Sequence, residues 1–172
     1  MNTISFIITA VMLVVLAAVY GWYADYYVQY NMVNTVNYVN SLVAGALVQE
    51  FQNAVSLASM SQVVGNFNYT LMLPTSAIHG EGISLNYYII ISSTKGSPKL
   101  VTAEVITEMQ TSSVREARLL NITLYSAGQP FSIYAYNCIN SNAEVNITNG
   151  GTCIWSSAEV QEMKAVIEIS KG

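Results

Sequence analysis

The first 24 residues carry no charge of either sign, and no Lys or Arg occurs before Lys95. Within this stretch, Ile4 to Ala24 is a run of about 21 largely apolar residues, enough to cross the hydrocarbon core of a bilayer as a helix. The helical pattern does not stop at the end of that run. No proline precedes Pro74, so the sequence predicts one helix of nearly 60 residues, roughly 90 Å long at about 1.5 Å per residue.

The two halves of this helix differ in character. From Ile4 to Ala24 it is apolar all round, which suits lipid or the centre of a helical bundle. From Asp25 to about Val64 polar and apolar residues mix. Val36, Val39, Val43, Leu47, Phe51, Val55 and Ala58 recur every three or four residues, and Tyr20, Tyr23, Tyr27 and Tyr30 form a second stripe. Two apolar surfaces imply packing on more than one side, by the chain's own domain and by other helices. The candidates for packing between helices are Ile4, Phe6, Ile7, Val11, Val14 and Val15 in the first half, and Val36, Val39, Val43, Leu47 and Phe51 in the second. A glutamate at Val43 or Leu47 is therefore expected to abolish assembly and leave the domain folded. Gly21 and Gly45 mark close helix approach or local bending, and Gly65 is the expected C-cap. The implied division is a helix over residues 1–65 and a second domain over 66–172.

After Gly65 the hydrophobic period changes to two. Phe67, Tyr69, Leu71 and Leu73 alternate with Asn66, Asn68, Thr70 and Met72, and Ile83, Leu85, Tyr87, Ile89 and Ile91 alternate in the next segment. Gly96-Ser97-Pro98 supplies a turn. Further strands are expected over Leu100–Glu108, Arg115–Tyr125, Phe131–Cys138, Ala143–Thr148, Thr152–Trp155 and Glu162–Ser170. The fold class is thus α+β: a long N-terminal hydrophobic helix followed by an antiparallel, immunoglobulin-like β-sandwich.

Composition narrows the function. Only 9% of residues are charged, the net charge is −4, and the six basic residues form no cluster, which argues against a nucleic-acid partner. Chemistry has little to work with. The one His (His79) and the one Asp (Asp25) fall in separate parts of the chain, and the acidic residues suggest no paired-carboxylate site. His79 with Glu81 makes at best a weak metal site, and a loop histidine is more often simply solvated. Gly80-Glu81-Gly82 reads as a turn and not as a phosphate loop. The expectation is a non-enzymatic protein with no cofactor, no metal and no small-molecule substrate.

Cys138 and Cys153 lie close together in the C-terminal domain. They are either two buried thiols or, as expected of a domain held outside the cytoplasm by a membrane-type N-terminus, a disulfide. Met1-Asn2-Thr3 supplies no positive charge for a secretory n-region, so either a basic leader has been removed or the chain is inserted without one, and the first is expected. Three Asn-x-Thr sequons begin at Asn68, Asn121 and Asn146. If Phe67, Tyr69 and Leu71, then Leu120, Ile122 and Leu124, then Val145 and Ile147 face the core, all three asparagines face solvent. Covalent N-glycans are expected there.

An apolar N-terminal segment running into an extended helix and then a β domain resembles the archaeal type IV pilins and archaellins. The resemblance implies removal of a short leader, a mature helix that first sits in the membrane and then packs into a filament core, and an outward β-sandwich that is often N-glycosylated. Ser5 stands where bacterial type IV pilins usually carry Glu, which favours the archaeal branch. The expected function is a structural subunit of an extracellular pilus, a homopolymer of identical chains serving adhesion. The alternatives are an archaellum subunit for motility, or a membrane-anchored β-sandwich that binds the cell envelope, such as a stator component.

Overall fold

A single α-helix, α1, runs from Thr3 to Ser59 without interruption in the computed structural model, which describes residues 3–74, 78–80, 82–94, 99–112, 114–127, 131–157 and 164–171. Several of its polar side chains are satisfied by the helix's own backbone. Thr9, Thr35 and Ser41 each donate a hydroxyl to the carbonyl four residues earlier, and the Asn31 amide does the same to Tyr27. The helix ends at Ser59, not at Gly65 as expected. Met60 and Val63 close successive turns onto Leu57 and Met60, and the Lys171 ammonium donates to the Met60 carbonyl at 3.2 Å. Gly65, at φ +91°, instead opens the first strand in a conformation that a side chain would strain.

Among the described residues nine strands follow: β1 (Gly65–Leu71), β2 (Ile78–Gly80), β3 (Ile83–Ser93), β4 (Lys99–Thr111), β5 (Arg115–Ala127), β6 (Phe131–Tyr136), β7 (Val145–Asn146), β8 (Thr152–Ser156) and β9 (Ala165–Lys171). One antiparallel sheet has the order β1-β9-β6-β7. In the other, β3, β4 and β5 form a meander, while β2 and β8 share the remaining edge of β3, pairing with Ile83–Leu85 and Tyr88–Ser92 respectively. The architecture is the expected α+β arrangement with a sandwich-like domain. The immunoglobulin likeness holds at the level of two antiparallel sheets, and the strand order is this domain's own.

The strand boundaries move modestly from expectation. Ala143–Thr148 contributes only the two residues of β7, because Asn146 turns the chain. The Gly80 turn is in part a strand, β2, whose backbone pairs His79 with Ser84. The Gly96–Pro98 turn and Glu162 lie outside the described residues.

The inner faces of both sheets and one stripe of α1 share a core. Val43, Leu47, Phe51, Ala54 and Ala58 meet Tyr87, Ile89 and Ile91 of β3, Val101, Ala103 and Val105 of β4, Ile133 of β6, Trp155 of β8, and Ile167 and Ile169 of β9. Two polar ties fix the register of the helix. The buried Thr107 hydroxyl of β4 donates to the Asn40 carboxamide oxygen at 3.1 Å, and the Tyr69 hydroxyl of β1 donates to Glu50 at 2.8 Å. The chain accordingly separates into two units at Thr35/Val36. The expected boundary at residue 65 is corrected by this. The second half of the helix is part of the β domain's core.

Candidate functional site

The first unit has an unusual surface for a folded chain. Every large apolar side chain from Ile4 to Tyr27 is at least 55% exposed, so Ile4, Phe6, Ile7, Val11, Val14 and Val15 have no partner within the described residues. These six are exposed and so available for packing outside the chain. The others are not. Val36, Val43, Leu47 and Phe51 are fully buried in the chain's own fold and Val39 is half-buried, which corrects their assignment to contacts between helices. The physical reason is competition: the β domain presents its own apolar faces to that stripe and covers it within one chain. A glutamate at Val43 or Leu47 would therefore disrupt the domain itself.

The tyrosine stripe is wider than expected. Tyr20, Tyr23, Tyr27 and Tyr30 are all exposed, and Trp22 and Tyr26 join them. Trp22 stacks on Tyr26 and Tyr26 on Tyr30, with ring centroids 6.2 and 6.5 Å apart, and Tyr23 stacks on Tyr27 at 6.5 Å. The signal was present in the sequence. Positions 22, 26 and 30 are spaced by four residues, which brings side chains together on a helix. Gly21 and Gly45 face open space, where an added Cβ would meet nothing. Neither is required by a contact among the described residues, and the helix passes both without a break.

The sequons differ among themselves. Asn68 is exposed on the outer face of β1 opposite Glu168, and Asn121 is exposed on β5 opposite Glu104. Asn146 pairs with Tyr134 on the outer face but is half-buried. Its side-chain oxygen accepts from the Thr148 hydroxyl at 2.8 Å and from the Asn149 amide at 3.0 Å. Gly151 closes the turn so tightly that a Cβ there would lie 2.5 Å from the Asn146 carbonyl oxygen.

The two cysteines form a disulfide, joining the residue after Asn137 to β8 and so one sheet to the other. The Trp155 indole reinforces the link by donating to the Tyr136 carbonyl at 2.8 Å, and the Asn140 side chain bonds Thr152 and Ile154. Beside this junction is an open groove of about 550 Å³ that includes Tyr136, Asn142 and Glu144. The Tyr136 hydroxyl contacts Glu168 at 2.5 Å and Glu144 at 2.7 Å, and these carboxylates hold its proton well above the ordinary tyrosine range. Tyr69 is raised in the same way, chiefly by its hydrogen bond to Glu50. Burial pushes the Tyr87 hydroxyl up to about 12, and that hydroxyl donates to the Pro74 carbonyl. Among the described residues no group of three or more His, Cys, Asp or Glu side chains is placed to hold a metal ion. His79 and Glu81 are not among the side chains described.

No protein-family model matches the chain, and no curated protein or solved structure matches it either.

Proposed function

We propose that this chain is the structural subunit of an extracellular archaeal type IV pilus, polymerising through the first half of α1 and serving adhesion. One observation carries the reading. An uncharged, fully exposed apolar helix is continuous with a segment locked into a disulfide-bonded β domain. Such a helix is a poor end state in water. At about 25 cal/mol per Å² of apolar surface, its exposure is strongly unfavourable, so it belongs in lipid or among copies of itself. Transfer from one to the other is driven by packing, since lipid tails are as apolar as the side chains. The open space at Gly21 fits close approach by a neighbouring helix, and the Thr9 hydroxyl is satisfied by the Ser5 carbonyl of its own helix.

In this reading the subunit needs no catalytic site, cofactor or small-molecule substrate, and its partners are identical chains after a membrane-inserted stage. N-glycans at Asn68 and Asn121 would extend from the outer faces, and the turn at Asn146 keeps its side-chain oxygen engaged while the amide nitrogen can carry a glycan. Negative-stain microscopy of material sheared from cells tests the proposal directly. Filaments that vanish when the gene is deleted, with loss of surface attachment, are the expected result. Loss of swimming with attachment intact would identify a motility filament, and a membrane-bound monomer with no filament would overturn the reading.

A further inference from the structure

The exposed helix changes composition at a definite depth. From Ile4 to Val19 its large side chains are almost all aliphatic, whereas Tyr20, Trp22, Tyr23, Tyr26, Tyr27 and Tyr30 crowd the next three turns, all exposed. Asp25, the first charge in the chain, falls inside that aromatic band. Length gives an independent estimate of the same boundary. The residues from Thr3 to Trp22 rise through roughly 30 Å, the thickness of a bilayer's hydrocarbon core. Tyrosine and tryptophan concentrate where an apolar ring body can rest against acyl chains while its hydroxyl or indole N–H reaches the headgroups. A carboxylate is expelled from hydrocarbon to that same level. Three separate properties therefore mark one plane.

We propose that the aromatic band from Tyr20 to Tyr30 seats the helix in the headgroup layer of a bilayer, with Thr3–Val19 in the hydrocarbon and Trp22 at the boundary. This rests on the membrane-inserted stage of the function proposed above and adds its depth and register. The i to i+4 stacks of Trp22, Tyr26 and Tyr30 make the band a preformed ridge, so fewer rotamers are lost when it enters the interface.

The test uses the full chain in phosphatidylcholine vesicles carrying a nitroxide quencher either near the headgroup or near the acyl-chain end. Trp155 is buried in the β domain, so the emission lost in Trp22→Phe isolates the exposed indole. The expected result is loss of most Trp22 emission with the shallow quencher and little with the deep one. Asp25→Leu should shift quenching toward the deep label. Flotation of the protein with vesicles, but with deep quenching dominant or no quenching of Trp22, overturns the proposed register alone. Failure to float with vesicles overturns the membrane-inserted stage together with it.

Discussion

The two halves of α1 contain comparable aliphatic side chains and meet opposite fates. Val43, Leu47 and Phe51 are wholly buried, whereas Val11, Val14 and Val15 stand more than half exposed. Hydrophobicity does not separate them; arrangement does. The second half interleaves its apolar residues with Asn37, Ser41, Gln49 and Gln52, leaving one stripe that a single β domain can cover. The first half is apolar around its circumference and would need cover on all sides, which one domain of this size does not provide. A buried stripe stabilises the chain's own fold. An unburied cylinder makes the chain depend on its surroundings.

The sharpest way to break this comparison is a glutamate in each half. Leu47→Glu should cost more than about 4 kcal/mol and leave no cooperative β-domain transition, because it buries an unpaired charge. Val14→Glu should leave the domain's denaturation midpoint in detergent unchanged and, if the chain polymerises as proposed, abolish filaments. A domain weakened by Val14→Glu would show that the halves are not independent. Truncation gives a graded version. Leu47→Ala should destabilise the domain by about 2–5 kcal/mol and Val14→Ala by no more than about 0.5 kcal/mol, read from the near-ultraviolet circular dichroism of Trp155.

Reduction of the Cys138–Cys153 bridge, whose cysteines are 15 residues apart, should lower domain stability by about 3 kcal/mol in the loop-entropy model. The helical signal of the first half should be untouched. Alkaline titration sharpens the domain side further. Burial raises Tyr87 from the ordinary value of about 10 to about 12. Below pH 10 its contribution is fully present. Above it, the unfolded chain releases a proton that the folded domain keeps, so stability falls by roughly 2–3 kcal/mol as the pH approaches 12. Urea midpoints measured across this range should fall less steeply for Tyr87→Phe. A further effect on the domain is expected at the polar tie between helix and sheet. Asn40→Ala should cost about 1–3 kcal/mol by leaving the buried Thr107 hydroxyl without its acceptor, and Thr107→Val in that background should recover part of it.

Much of this fold was legible in the sequence because its signals are periodic. The uncharged run, the Val36-to-Ala58 stripe and the alternation in β3 each repeat often enough to fix an element and a face. The partner of the stripe was not legible. Val36, Val43, Leu47 and Phe51 look alike whether covered by their own domain or by a neighbour, since periodicity reports that a face is apolar and not what meets it. The helix end was misplaced for a related reason. Gly65 is a good C-cap by type, yet Lys171, more than a hundred residues away in the chain, holds the Met60 carbonyl after an earlier exit from the helix. Aromatic side chains were read as a narrow stripe because Trp22 and Tyr26 follow a four-residue spacing of their own, parallel to that of Tyr23 and Tyr27.

The bridge between Cys138 and β8 has a mechanical meaning besides its thermodynamic one. In the fibre proposed above, flow would pull along the length, and a domain that unravels under tension lengthens by the contour of the chain it releases. Here the 15-residue separation between the cysteines is closed by a covalent bond, so that segment cannot pay out. About 50 Å of potential extension, at some 3.3–3.6 Å per residue, is withheld from any pulling force that leaves the bond intact.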